Sequence, residues 1–112
     1  MFDFCDQESV QRQNVAEGIF VRPFYLHSTC LAILDMEAGS FLPEHKHIHE
    51  QISYVLEGEA EVGIGPLSRT VGKGDFFFVK SNVVHSCRAL SHDVTMIVAS
   101  SPVLRDYVFS EE

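Results

Sequence analysis

The chain has 112 residues, 46% of them hydrophobic, with nine Phe, three Tyr and a formal net charge of −8. That is enough for one domain with a real core and too little for two, and the apolar content excludes a chain disordered by composition. Eight scattered Lys and Arg against sixteen Asp and Glu exclude nucleic acid as a partner, because phosphate binding needs clustered cations.

The N-terminal stretch "MFDFCDQESV" is acidic and lacks the basic and apolar regions of a signal peptide. Cys5, Cys30 and Cys87 are odd in number, widely spaced and without a CxxC pair, so no disulfide framework is expected. A reducing compartment, the cytoplasm, is the expectation. From residue 18 onward, apolar and β-branched runs are broken by Gly, Pro, Asn or Asp every eight to twelve positions. This spacing predicts an all-β sandwich or barrel. The predicted strands are 18–23, 30–36, 40–45, 51–57, 60–64, 69–71, 75–80, 85–88 and 94–99. "MEAGS", "LEGEA", "GIGP" and "GKGD" supply the turns, each with a Gly that tolerates positive φ. The apolar runs "FFFV" and "TMIVAS" are strand-sized and too short to cross a bilayer. Residues 102–109 read equally as a short helical turn or a final edge strand. The single domain is taken as 1–112, with its core over 18–100 and a tail from 101 to 112.

The chemistry concentrates in "HKHIHEQ", residues 45–51. On a strand, His45, His47, His49 and Gln51 share one face and Lys46, Ile48 and Glu50 the other. A break at Ile48–His49 would leave only some of the four donors convergent. Imidazole is a common ligand of Zn, Cu, Fe and Ni, and an amide oxygen suits the same ions less strongly. A further donor must come from elsewhere, and His27, His85 and His92 are the candidates. His85 stands at the start of an apparent strand, well placed to point into a barrel.

At this point the sequence resembles a small single-domain cupin. The first cupin motif, G-x5-H-x-H-x(3–4)-E-x6-G, is met by Gly39, His45, His47, Gln51 and Gly58, with Gln in the usual Glu position. The second, G-x5-P-x-G-x2-H-x3-N, is met by Gly74 and His85, with Lys80, Asn82 and Ala89 as departures. Asn82 is a mild one, since Asn tolerates the left-handed backbone. The resemblance implies a double-stranded β-helix, a jelly-roll-like barrel, holding one divalent transition metal (Zn, Ni, Fe or Mn) on His45, His47, Gln51 and His85. It leaves His49 out. It also implies a homodimer, for which Ile19, Val21 and Phe24 form a candidate apolar stripe, equally readable as core. The partner implied is a small molecule, anionic or oxygen-rich, with neither nucleic acid nor membrane involved.

Gln in place of Glu removes the one negative ligand, making a bound ion a stronger Lewis acid and a better anchor for an anion or enolate. Arg22, Tyr25, His27, Met36, Phe41, His92, Met96 and Arg105 are candidates to line the mouth. Arg105, His92 and Tyr25 are the catalytic candidates, Arg105 because a guanidinium can clamp a carboxylate. Tyr54, three residues past Gln51, falls on the outer face, and Cys87 shares the face of His85. "HKHIHEQISYVLEGE" is similar to KdgF-like proteins, which convert unsaturated uronates to linear keto acids, and "SSPVLRDYV" is similar to their "SPxRedxL" ending. Those enzymes carry an Asp and a Phe on the last strand, where this chain has Ile97, Val98, Ala99, Ser100 and Ser101. Polyketide cyclase cupins with a His3Gln pattern and dioxygenase cupins are also similar. Two functions follow from the resemblance: a metal-dependent enzyme (isomerase, cyclase or dioxygenase), or a non-catalytic metal- or ligand-binding cupin.

Overall fold

The computed structural model describes residues 4–105. A single 3-10 turn, Gln7–Ser9, precedes ten strands: β1 Gln13–Ala16, β2 Ile19–Tyr25, β3 Cys30–Met36, β4 Phe41–His45, β5 Glu50–Glu57, β6 Glu59–Ile64, β7 Leu67–Gly72, β8 Phe76–Val79, β9 His85–Ala89 and β10 Val94–Ser101. They form two antiparallel sheets, ordered β1-β2-β3-β10-β5-β8 and β4-β9-β6-β7. From β4 on, the chain crosses repeatedly between the sheets, as a double-stranded β-helix does.

Alternation along each strand decides what lies between the sheets. Ile19 and Val21, Ala32, Leu34 and Met36, and Val94 and Met96 are buried from one side. Leu42, Ala60, Val62, Val71, Cys87 and Ala89 meet them from the other. The stripe of Ile19, Val21 and Phe24 is therefore split: the first two are core, whereas Phe24 is half-buried on the opposite face of β2. The outer face carries a separate apolar patch, where Ile52 pairs with Phe78 and Tyr54 with Phe76. The Tyr54 and Phe76 rings stand 4.5 Å apart, and Ile52, Phe76 and Phe78 are exposed.

Several bounds differ from expectation for local reasons. β1, "QNVA", has only two half-buried residues and so no apolar alternation to signal it. β2 runs through Pro23 to Tyr25. Its β1 partner stops opposite Val21, so Pro23 lies beyond the part of β2 that β1 covers, where a proline is better tolerated. β7 begins at Leu67, because the Gly65–Pro66 turn closes a hairpin with Ile64 opposite Leu67. In "GKGD" the Gly72 N–H donates to the Asp75 carboxylate at 2.8 Å, which tightens the turn. Asn82 takes the second motif's glycine position at φ 64°, within its tolerance. Pro102–Arg105 is neither helix nor strand, and the rest of that tail lies outside the described residues.

Two motif glycines separate backbone strain from steric exclusion. A Cβ at Gly58 (φ +84°) would collide with the Asp93 carbonyl oxygen, whereas at Gly39 (φ +80°) it would meet nothing within 4 Å. Gly39→Ala should therefore cost about 1–2 kcal/mol for left-handed backbone alone. Gly58→Ala should cost about 3 kcal/mol or more, because backbone must move as well. Urea denaturation of both variants checks the order, and equal losses would contradict it.

Candidate metal centre

Strand register brings the histidines to one rim of the barrel. His45 ends β4 and pairs across the sheet with His85, which opens β9. The chain leaves the strand after His45, earlier than the break expected at Ile48–His49. His47 is thereby freed from strand geometry, and its carbonyl accepts the Asn82 N–H at 2.7 Å. The ligand-capable nitrogens of His45, His47 and His85 all lie within 4.8 Å of one another. His49 stands apart from this group. Its Nδ1 is buried without a partner, and burial, followed by the nearby His47, lowers its pKa.

One hydrogen bond recurs on all three clustered rings. His45 Nδ1 contacts the Pro43 carbonyl, His47 Nδ1 the His49 carbonyl and His85 Nδ1 the Val83 carbonyl, each at 2.8 Å. A carbonyl only accepts, so each Nδ1 carries the proton and each Nε2 the lone pair. His85 is 7% exposed, and its Nε2 is buried with no partner. Burial, the largest cause, lowers its pKa to about 4, and His45 and His47 push the same way. Burial likewise lowers His45. Burial thus favours the neutral rings of His45 and His85, the state a cation requires of its ligands.

Gln51 approaches from the other sheet and lines the same cavity. Its Nε2 donates to Ser53 Oγ at 3.2 Å, leaving the amide oxygen as the free end. Ser53 is fully buried. Its role escapes a reading based on donor types alone, although its position two residues past Gln51 on the same face is the signal. The cavity measures about 50 Å³ and is walled by apolar side chains such as Leu34, Leu42, Phe77, Met96, Val98 and Leu104. No Asp, Glu, Lys or Arg among the described residues lines it. Cys87 does, but burial pushes its thiol pKa up to about 12, so it is protonated and a poor nucleophile.

The other candidates fall elsewhere. Arg105 is exposed, with its guanidinium 4.8 Å from the Tyr25 ring centroid, and the Tyr25 hydroxyl donates to the Arg105 carbonyl at 3.4 Å. Neither residue lines the cavity, and Leu104 takes the inward place. The "SPxR" pattern would set Arg at 104, where this chain has Leu, and Arg follows one residue later. His92 is exposed in the β9–β10 turn, past the end of β9 opposite to His85. Arg22 pairs with Asp35 at 3.8 Å, and Arg88 covers the exposed Phe41 ring at 4.2 Å. His27 is exposed and Met36 is core.

The family model described as "Cupin domain" matches residues 32–100. The dimethylsulfoniopropionate lyase DddQ of Ruegeria pomeroyi is 34% identical over 77 residues, 68% of this chain and 38% of the lyase. The pectin degradation protein KdgF of Dickeya dadantii is 34% identical over 71 residues, 62% of this chain and 64% of that protein. The chain thus spans less than two thirds of either relative. The solved structure of KdgF from Halomonas sp. superposes with a TM-score of 0.86 at 25% identity, covering 96% of this chain and all of that one. These likenesses are those of a small, KdgF-like cupin.

The depressed imidazole pKa values set a pH dependence for the metal-free protein. Between about 4 and the ordinary value of 6.5, the unfolded chain binds a proton at His85 that the folded chain does not. Stability therefore rises with pH through this window, is complete above about 6.5, and is lost as pH falls towards 4. Thermal unfolding of chelator-treated protein from pH 7.5 to 4 should show that fall, and a flat profile would contradict it.

Proposed function

The chain belongs to the cupin domain family, and on that footing we propose that it is a small metal-dependent enzyme. His45, His47 and His85, with Gln51 as fourth donor, would hold one divalent transition ion, zinc, nickel, iron or manganese. The observation that carries this reading is the buried, partnerless Nε2 of His85 inside a cluster whose Nδ1 protons are all committed elsewhere. An ionisable ring in such a place is costly unless something accepts its lone pair. When bound, the ion would supply Lewis-acid polarisation of a coordinated oxygen.

The substrate class follows from the donor set. All four donors are neutral, so an anionic oxygen on the ligand is favoured. This supports a small molecule bearing a carboxylate or a keto/enol group. Sugar-acid isomerisation is the related chemistry, in line with relatives named for pectin degradation and for lyase activity. A non-catalytic metal- or ligand-binding cupin is the second reading. The absence of a carboxylate lining the cavity among the described residues favours it, because Val98 is the inward residue near the end of β10. A homodimer belongs to the same proposal, supported by the exposed apolar patch of Ile52, Phe76 and Phe78. Light scattering should then give twice the chain mass, and a monomer at micromolar concentration would count against it.

Elemental analysis beside a His47→Ala control tests the centre. About one transition ion per chain, lost in the control, is expected. Absence of metal after reconstitution would refute the reading. In the loaded protein, turnover of small keto or carboxylic acids supports the enzyme, and tight binding without turnover supports the binding module.

A further inference from the structure

The segment 102–105 crosses the rim that carries the histidines. Register fixes this: the end of β2, the start of β3, the start of β5 and the end of β10 all meet there, with Tyr25 opposite Cys30, Cys30 opposite Ser100 and Ser100 opposite Gln51. Two residues, Cys30 and Tyr25, hold the segment down. The Leu104 N–H donates to Cys30 Sγ at 3.2 Å, and that thiol donates in turn to the Ser100 carbonyl at 3.4 Å. Tyr25 holds Arg105 by ring and hydroxyl, as described above. Together they place the half-buried Leu104 side chain in the cavity wall beside His45, His47 and Gln51.

We propose that Leu104 is the specificity-determining residue of this cavity. Held by the 102–105 strap, it closes the rim with an isobutyl group. The site then admits a small monoanion, a carboxylate or enolate with a short uncharged body, and excludes longer acids. The chemistry on each side agrees. The oxygen donor of the ligand meets the neutral histidines and Gln51. Apart from Ser53 and Ser86, its body meets apolar walls, in a space of about 50 Å³. With Arg105 turned outward, no Lys or Arg among the described residues lines the cavity to clamp a second carboxylate.

This inference rests on the metal reading, and the test separates the two. The protein is loaded with Co(II), and its visible spectrum is titrated with acetate, propanoate, butanoate and pentanoate. In the wild type, affinity should fall once the acyl chain outgrows the space below Leu104. Leu104→Ala should improve butanoate and pentanoate relative to acetate by about tenfold, the scale on which one methylene is discriminated in an apolar pocket. Leu104→Val, a milder truncation, should move the ratio in the same direction by less, and serves if the alanine variant does not fold. Unchanged acid selectivity in cobalt-loaded variants, or a wild type indifferent to acyl length, overturns this inference alone. A folded wild type that takes up no cobalt overturns the metal reading, and this one with it.

Discussion

The centre depends on a short-range hydrogen bond made three times. Each clustered imidazole gives its Nδ1 proton to a carbonyl two residues away in its own segment, Pro43, His49 or Val83. That bond selects the tautomer, fixes the ring and leaves the second nitrogen to face the cavity. The barrel need only bring three pre-set segments to one rim, which the pairing of His45 with His85 and the loop after β4 accomplish. Were the same rings free to rotate, nearness alone would not make their lone pairs converge. Gln51 obeys the same rule at one remove, with Ser53 in place of a carbonyl.

Charge separates this cavity from a general acid–base site. Its walls are largely apolar and no Asp, Glu, Lys or Arg among the described residues lines it, so electrostatic effects within it are weakly screened. A cation there would be balanced by what it binds rather than by the protein. The same neutrality means that proton transfer would rest on groups arriving with the ligand, on solvent, or on the histidines themselves. That limits which reactions the fold can serve without help, and it explains why the loss of a carboxylate on β10 weighs on the choice between enzyme and binding module.

Much of this was legible in the sequence, for identifiable reasons. The all-β fold and its turns followed from apolar runs broken by glycines, and the cupin motifs lie within a contiguous stretch whose spacing survives four departures, at Gln51, Lys80, Asn82 and Ala89. Asn82 could be read through its substitution because its backbone tolerance is intrinsic to the residue. What failed were inferences needing side-chain direction outside regular strands. The tail carries no alternation, so nothing in "SPVLR" says that Leu104 turns in and Arg105 turns out. β1 was invisible because an edge strand with few buried residues has no apolar signature. Ile19, Val21 and Phe24 looked like one stripe only while strand parity was set aside.

The separation of the two sheets has a mechanical consequence. No backbone ladder joins them among the described residues, so between their inner faces they are held by side-chain packing, which is non-directional and yields to sliding. The histidine cluster belongs to the four-stranded sheet and its loops, and Gln51 to the six-stranded one. A cation gripped from both sides would act as a rivet, converting a greasy contact into a fixed hinge point at the rim. Loading would then change how the domain yields as well as what it binds: shear between the sheets would be arrested at one end, leaving the opposite rim to open first.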